Sequence, residues 1–280
     1  MSVGTILVSL NDVDRSKEIL QTTAALADRH DAHVIGLYVI PAVYIHPGIS
    51  AHVTADVIDW GRKFFQDRAD SVKKLFDAEM KKQGFKGEWR QVDGMSHLVA
   101  TTVVEHGRQS DLIVISQGGK NSNNGCEAEF AERVVLDAGR PVLLIPNAGT
   151  FPTVAQNVIF GWNATRESAR AAFDAVPLLK EGAKAHVMWV DSDLDSGNGA
   201  ALPGTELAVA LSRHGVDAIS EPSTTANIDA ADALLNRVSD TGADMLVMGA
   251  YGHSRVRELI FGGATRKVLD QMTVPVLMSH

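Results

Sequence analysis

The segments DLIVISQGG, residues 111–119, and DMLVMGAYG, residues 244–252, follow one pattern in which an aspartate precedes an apolar run that ends near a glycine. They are separated by 133 residues (244 minus 111), and the same shift aligns RVVLD at 133–137 with RKVLD at 266–270. This internal repeat indicates a duplicated structural unit. At about 100 to 200 residues per domain, a chain of 280 residues also favours two domains.

The beginnings of the two halves match as well. TILVSLN at residues 5–11 and NVIFGWN at residues 157–163 are both apolar runs that end in asparagine before a helical segment. The stretch at 147–155, which contains proline, glycine and threonine, has the composition of a linker. We therefore expect a first domain at residues 1–147 and a second at residues 154–280.

Each half alternates short apolar runs with longer segments of helical period, which is typical of a parallel sheet covered by helices. The predicted strands lie at residues 5–10, 33–40, 87–92, 111–116, 141–146, 157–162, 185–190, 216–220, 244–249 and 275–279. The first helix has Asp12 or Asp14 as its cap, and the second spans residues 54–83. The predicted buried stripe of the first helix consists of Ile19, Leu20, Thr23, Ala24, Leu26 and Ala27. The pattern predicts a doubly wound α/β fold, in which ligands bind at the carboxyl ends of the strands.

The most distinctive segment is GAYGHSRVRELIFGGAT, residues 249–265, where four glycines occur within fifteen residues. Glycine permits a positive φ and lets backbone N–H groups approach a ligand closely. Gly262 and Gly263 are predicted to open a helix, whose free N–H groups and positive dipole end then face the same crevice. This combination indicates an anion cradle. Its spacing is neither that of a P-loop nor that of the G-x-G-x-x-G dinucleotide fingerprint.

The spacing G-x2-G-x9-G followed by a small residue, after a strand that ends VMG, resembles the universal stress protein family. The resemblance covers both halves and implies two tandem doubly wound five-stranded parallel sheets, each in the strand order 3-2-1-4-5 with helices on both faces. It further implies that Gly249, Gly252 and Gly262 hold the phosphates of ATP, with or without magnesium. The family usually has a hydroxyl residue where this chain has Gly263, and Thr265 offers a second hydroxyl nearby.

Two further residues are candidates for nucleotide contact. At the end of the first strand the family's nucleotide binders usually carry aspartate, whereas this chain has Asn163, with Asn11 at the corresponding place in the first half. An amide donates as well as accepts hydrogen bonds, so the contact to adenosine would differ, and helix capping remains an equally open interpretation. His253 follows the loop and is a candidate for phosphate contact, with a surface position as the alternative.

The first half departs from the glycine pattern. Under the 133-residue shift, Ser116 replaces Gly249, while Glu129 and Phe130 take the places of Gly262 and Gly263. A carboxylate and a large ring would then occupy the position of the phosphates. We expect the first half not to bind ATP in this way.

The composition excludes several classes of protein. With 45% apolar and 21% charged residues, the chain is expected to fold, and a net charge of −8 disfavours binding to nucleic acid or to a membrane surface. There is neither an apolar run of about 20 residues nor a signal-peptide pattern, which predicts a cytoplasmic protein. Cys126 is the only cysteine, so one chain cannot form a disulfide, and we expect its thiol to be exposed. The histidines show no ligand spacing, and no metal site is predicted.

Three classes of function follow from these observations. The first is a stress-response regulatory protein whose second half binds an adenine nucleotide, with slow hydrolysis left open because no water-positioning carboxylate is evident. The second is a scaffold that binds a protein partner or another small ligand without nucleotide. The third is an enzyme, although no nucleophile–base pair supports it and no catalytic residue is predicted.

Two surfaces are candidates for association. The last strand of each half is an edge strand in the implied order, and a tandem chain can pair these two edges internally as a built-in dimer. A homodimer of whole chains is also left open. The long second helix has an apolar side that is predicted to be either core or a dimer face, and its members are Trp60, Phe64, Phe65, Leu75 and Phe76.

Overall fold

All ten predicted strands form, each within one or two residues of its expected bounds. Most are apolar runs that the fold buries, whereas the third and the eighth lie at the sheet edges and contain no buried residue. The computed structural model of the protein describes residues 2–42, 54–84, 87–118, 125–189, 204–221, 228–251 and 263–280. The strands are β1 (Thr5–Ser9), β2 (His33–Ile40), β3 (Gly87–Asp93), β4 (Leu112–Ser116), β5 (Val142–Ile145), β6 (Asn157–Trp162), β7 (Lys184–Trp189), β8 (Asp217–Glu221), β9 (Met245–Gly249) and β10 (Val276–Ser279). The helices are α1 (Ser16–His30), α2 (Ala55–Gln83), α3 (Val99–Gly107), α4 (Phe130–Asp137), α5 (Arg166–Ala175), α6 (Thr205–Ser212), α7 (Ala230–Thr241) and α8 (Gly263–Gln271).

The strands form one sheet in the order β3-β2-β1-β4-β5-β10-β9-β6-β7-β8. The first five strands therefore have the expected order 3-2-1-4-5, and the last five repeat it in reverse direction across the sheet. Every pair of neighbours within a half is parallel. The two expected five-stranded sheets are thus confirmed, and they join into one.

The join is made by the last strands of the halves. β5 and β10 pair antiparallel, with Leu277 opposite Leu143, and every residue of both strands is buried. The two edges that the sequence leaves unpaired are therefore satisfied within the chain, as expected for a built-in dimer. Exposed strand edges remain only at β3 and β8 among the described strands.

Helices cover both faces of the sheet. Successive strand residues point to opposite faces, so Ile6 and Val8 join one apolar cluster while Leu7 joins the other. The first cluster is covered by α1, α2, α5 and α6, and the second by α3, α4, α7 and α8. The stripe predicted for α1 is confirmed, since all six of its residues are buried. No helix of the described residues has an apolar stretch long enough to cross a membrane.

The aspartate that begins the sequence repeat has the same structural role in both halves. Asp111 Oδ2 accepts two backbone N–H groups at the start of β1, both at 2.9 Å. Asp244 Oδ1 accepts the corresponding pair at the start of β6, both at 3.0 Å. These charge-assisted bonds fix where each first strand begins beside its fourth strand.

Three side chains, one at the N-cap of α1 and two within the helix, hold the segment that joins the halves. Arg15, Thr22 and Arg29 are spaced by seven residues, so they lie along one side of the helix. Each donates to backbone carbonyls within residues 146–154, at distances between 2.8 and 3.2 Å. The joining segment is therefore bound along its length to the first half.

Two expectations about the first half are wrong. Neither Asp12 nor Asp14 caps α1, because a 3₁₀ turn, Val13–Arg15, comes between Asp12 and the helix, and no side-chain cap bond forms at either start. Cys126 is half-buried against the apolar cluster of α3 and α4 rather than exposed. Burial raises the pKa of its thiol well above the ordinary value, which disfavours the nucleophilic thiolate.

Candidate functional site

The candidate site lies at the carboxyl ends of β6 and β9. These strands are parallel neighbours, with Gly161 opposite Met248, so their ends meet at one edge of the sheet. The segment after β6 leads into α5, and the segment after β9 leads into α8. Both helices therefore begin at this edge, where their first N–H groups and positive dipole ends are directed.

Gly249, the last residue of β9, is in van der Waals contact with the start of α5. A Cβ built on Gly249 would lie 2.4 Å from the backbone nitrogen of Ser168 and 2.5 Å from the carbonyl carbon of Glu167. Such distances are far below any ordinary contact, and backbone atoms cannot rotate away. The absence of a side chain at Gly249 therefore lets α5 pack on the end of β9, whether or not a ligand also approaches there.

Asn163 stabilises the start of α5 indirectly. Its Oδ1 accepts from the Thr165 hydroxyl at 2.8 Å and from the Thr165 N–H at 3.3 Å. Thr165 is the N-cap of α5, and its side chain accepts the Ser168 N–H at 3.3 Å. The Nδ2 of Asn163 donates to no group among the described residues, so this amide keeps a donor at the edge.

Asn11, the counterpart of Asn163, has a different role. It is buried, its Nδ2 donates to Val39 O at 2.7 Å, and its Oδ1 accepts the Val39 N–H at 3.0 Å. Both ends of the amide are therefore used to join the segment after β1 to β2. Asn11 is therefore not a helix cap, and its buried amide is bound to β2.

Gly263 is the first described residue of α8, and it is exposed. A Cβ built on Gly263 would have no heavy atom of the described residues within 4 Å. Thr265, two residues on, is buried, and its hydroxyl accepts the Tyr251 N–H at 3.4 Å. Thr265 therefore ties the beginning of the loop to the helix that follows it.

Backbone conformation is unusual on both segments that leave the edge. Ala164, after β6, has φ = 55°, and Tyr251, after β9, has φ = 59°. Residues with a side chain seldom adopt this left-handed region, and such strain is concentrated at functional sites. The remaining predicted site residues, Gly252, His253 and Gly262, lie outside the described residues.

At the corresponding edge of the first half, a large core side chain takes the place of Gly263. Phe130 begins α4 and is only 3% exposed, because its ring packs in the apolar cluster on that face. Glu129 pairs with Arg133 at 3.2 Å. Helix α8 also contacts this edge, since Gln117 Nε2 donates to the Leu269 carbonyl at 2.5 Å. That the first half does not bind ATP in this way stays a prediction.

Sequence reasoning missed two carboxylates that serve helix starts. Glu127 accepts the Val99 and Ala100 N–H groups at 3.0 and 3.1 Å, so it caps α3 from another segment. Glu167 is buried in the first turn of α5, and although burial opposes its ionisation, its own N–H and Arg166 keep its pKa below the ordinary value. Only Glu167 could have been found from the sequence, because acidic residues are favoured in the first turn of a helix. Within the described part of the chain, no group of His, Cys, Asp and Glu could hold a metal ion.

Asp12 provides a test of electrostatics at the carboxyl ends of β1 and β4 in the first half. Burial raises the pKa of its carboxyl above the ordinary 3.8, against a lowering by the Ser116 hydroxyl. The folded state therefore holds this proton more tightly than the unfolded state, and stability is lost as the pH rises through the raised pKa. Asp12→Asn is expected to raise the free energy of unfolding at neutral pH, with a gain that disappears below pH 3.8. Urea unfolding at neutral pH and at a pH below 3.8 measures the difference in the free energy of unfolding.

Asp28→Asn, on an exposed position of α1, is the matched control and should change little at either pH. A lower stability of Asp12→Asn at neutral pH would show instead that the ionised carboxylate is favourable beside Ser116.

The comparisons with known proteins agree with this fold. Residues 155–280 match the model of the universal stress protein family. Universal stress protein Slr1230 from Synechocystis is 27% identical over 170 residues, and this match spans 60% of the present chain and 57% of that relative's length. The structure of a universal stress protein from Archaeoglobus fulgidus aligns with 99% of this chain and 96% of its own, with a TM-score of 0.74 and 17% identity.

A shorter universal stress protein, solved in complex with cAMP, aligns with 53% of this chain and with its own whole length at 18% identity. Its TM-score of 0.40 is too low to say what the present chain binds. The family model matches the second half, and the full-length alignment includes it. The second half has both the strand order that the resemblance implies and the glycine pattern in its sequence. Residues 155–280 therefore match the universal stress protein family, and the whole chain is similar in fold to a universal stress protein of known structure.

Proposed function

We propose that the chain is a cytoplasmic stress-response protein whose second domain, residues 154–280, binds one adenine nucleotide, with ATP as the first candidate. The observation that carries this proposal is the contrast between the two helix starts. Gly263 is exposed and a Cβ there would meet no atom of the described residues within 4 Å, whereas at the equivalent position of the first half Phe130 is packed in the core. An accessible helix start beside a glycine-rich loop is suited to phosphate.

The described residues support distinct contacts with such a ligand. The free N–H groups of the first turn of α8 would face the phosphates, and the donor of Asn163 would face the ribose or base. For Gly252, Gly262 and His253, the resemblance to the family is the only support for a contact with the nucleotide. No described residue at this edge forms a nucleophile–base pair, which favours sensing over turnover.

The experiment is to denature freshly purified protein, separate the released small molecules, and then titrate the stripped protein with ATP by calorimetry, with and without magnesium. One nucleotide per chain supports the proposal. Absence of nucleotide in both tests overturns it and favours the second candidate, a partner-binding protein, which the exposed apolar side of α2 supports.

Gly252→Val gives a prediction for the loop. If the backbone of Gly252 lies against phosphate, a branched side chain there abolishes binding while the unfolding midpoint changes little. Calorimetric titration of the variant measures the first effect and thermal unfolding without ligand measures the second. Unchanged affinity would remove this loop from the site.

A further inference from the structure

Helix α2 carries an apolar stripe on the side that faces away from the sheet. Val57, Trp60, Phe64 and Leu75 are 53%, 71%, 38% and 40% exposed. Their spacings of three, four and eleven residues place them on one line along the helix. We call this set the outer stripe. The helix buries its other side in the core, through Ala69, Val72, Phe76 and Met80.

The aromatic part of the outer stripe is ordered by its own contacts. The rings of Trp60 and Phe64 stack with centroids 6.2 Å apart, and the Arg68 guanidinium lies 5.1 Å from the centre of the Phe64 ring. A tryptophan that is 71% exposed is unusual on a surface without a partner. Aromatic and arginine side chains are the ones that dominate protein interfaces.

A row of charges runs beside the outer stripe and indicates what covers it. In chain order the row is Asp56, Lys63, Asp67, Asp70 and Lys74, and all five are exposed on one flank of the stripe by helical spacing. None of them forms an ion pair within the described part of the chain. The signs run negative, positive, negative, negative, positive. An antiparallel second α2 would bring Asp56 against Lys74 and Lys63 against Asp70, and only Asp67 would meet its own copy. A parallel second α2 would bring all five positions against a like charge.

We propose that two copies of this chain associate through antiparallel α2 helices, related by a two-fold axis near residue 66. That arrangement places Val57 opposite Leu75 of the second copy, and Trp60 opposite its small Ser71. Along the flank, Asp56 faces Lys74 and Lys63 faces Asp70. The same patch serves on both chains, as two-fold symmetry requires.

The test is the mass in solution of the full chain, measured by sedimentation equilibrium from low to high micromolar concentration. The wild type is expected to reach the mass of two chains. Trp60→Ser should weaken association about tenfold or more, since it removes the most exposed anchor. Phe173→Ser is the matched control, because Phe173 is 49% exposed but lies on α5. A wild type that stays monomeric overturns the proposal, as does a dimer that Trp60→Ser leaves intact.

Charge exchange tests the antiparallel arrangement. Asp56→Lys and Lys74→Asp should each weaken association, and the double variant should restore it. The restoration separates pairing from helix stability, because both single effects on the helix persist in the double variant. Failure of the double variant to recover would overturn the antiparallel arrangement. Far-ultraviolet circular dichroism of each variant confirms that α2 is retained.

Discussion

Replacing Gly249 with alanine is expected to lower the free energy of unfolding by about 3 kcal/mol. The added methyl group would lie 2.4 Å from Ser168 N and 2.5 Å from the carbonyl carbon of Glu167. Both are backbone atoms in the first turn of α5, so relief requires the helix to move off the sheet. Urea unfolding of the ligand-free protein measures the loss.

Gly263→Ala is the control for this prediction. It adds the same methyl group at the other described glycine of the candidate site, where no atom of the described residues lies within 4 Å. Its stability is expected to stay within about 0.5 kcal/mol of the wild type. If Gly249→Ala were equally harmless, the glycine at that position would have no packing role and would be explained by a ligand alone.

Most of the fold was predictable because its determinants are local. Strands such as β1 and β9 are short apolar runs bounded by polar residues or glycine, and burial on both faces makes that pattern unambiguous. The internal repeat then indicated two structural units, and the resemblance to a known family implied the strand order within each. The antiparallel pairing of β5 with β10 follows from two edges that only each other can cover.

The site was harder to predict because its residues have roles set by distant segments. Gly249 fits a ligand loop and a packing contact equally well in the sequence, and only the position of α5 shows the second role. Asn11 and Asn163 occupy the same place in the repeat, yet Asn11 is used by β2, while Asn163 holds the cap of α5. Glu127 caps a helix that begins 28 residues earlier, which no local pattern reveals.

Gly263→Glu is expected to weaken ATP binding roughly a thousandfold in the second domain. A carboxylate about 4 Å from a phosphate, at an effective dielectric near 20, opposes binding by about 4 kcal/mol, which is close to three powers of ten. Among the described residues, no atom lies within 4 Å of a Cβ at Gly263. This substitution also reproduces in the second half the acidic character of the corresponding edge of the first half, where Glu129 stands beside the start of α4. Calorimetric titration with ATP measures the loss.

Gly263→Gln separates charge from size, because it has the same shape without the charge. We expect it to weaken binding much less than Gly263→Glu, and the difference between the two variants should shrink at high salt, where charges are screened. Stability should not explain the effect, since a carboxylate at a helix start is favourable by about 0.3–1 kcal/mol. Equal losses in both variants would mean that bulk alone closes the site. No loss in either would mean that the phosphates do not lie at the start of α8, and the proposed orientation of the nucleotide would then be wrong even if ATP binds.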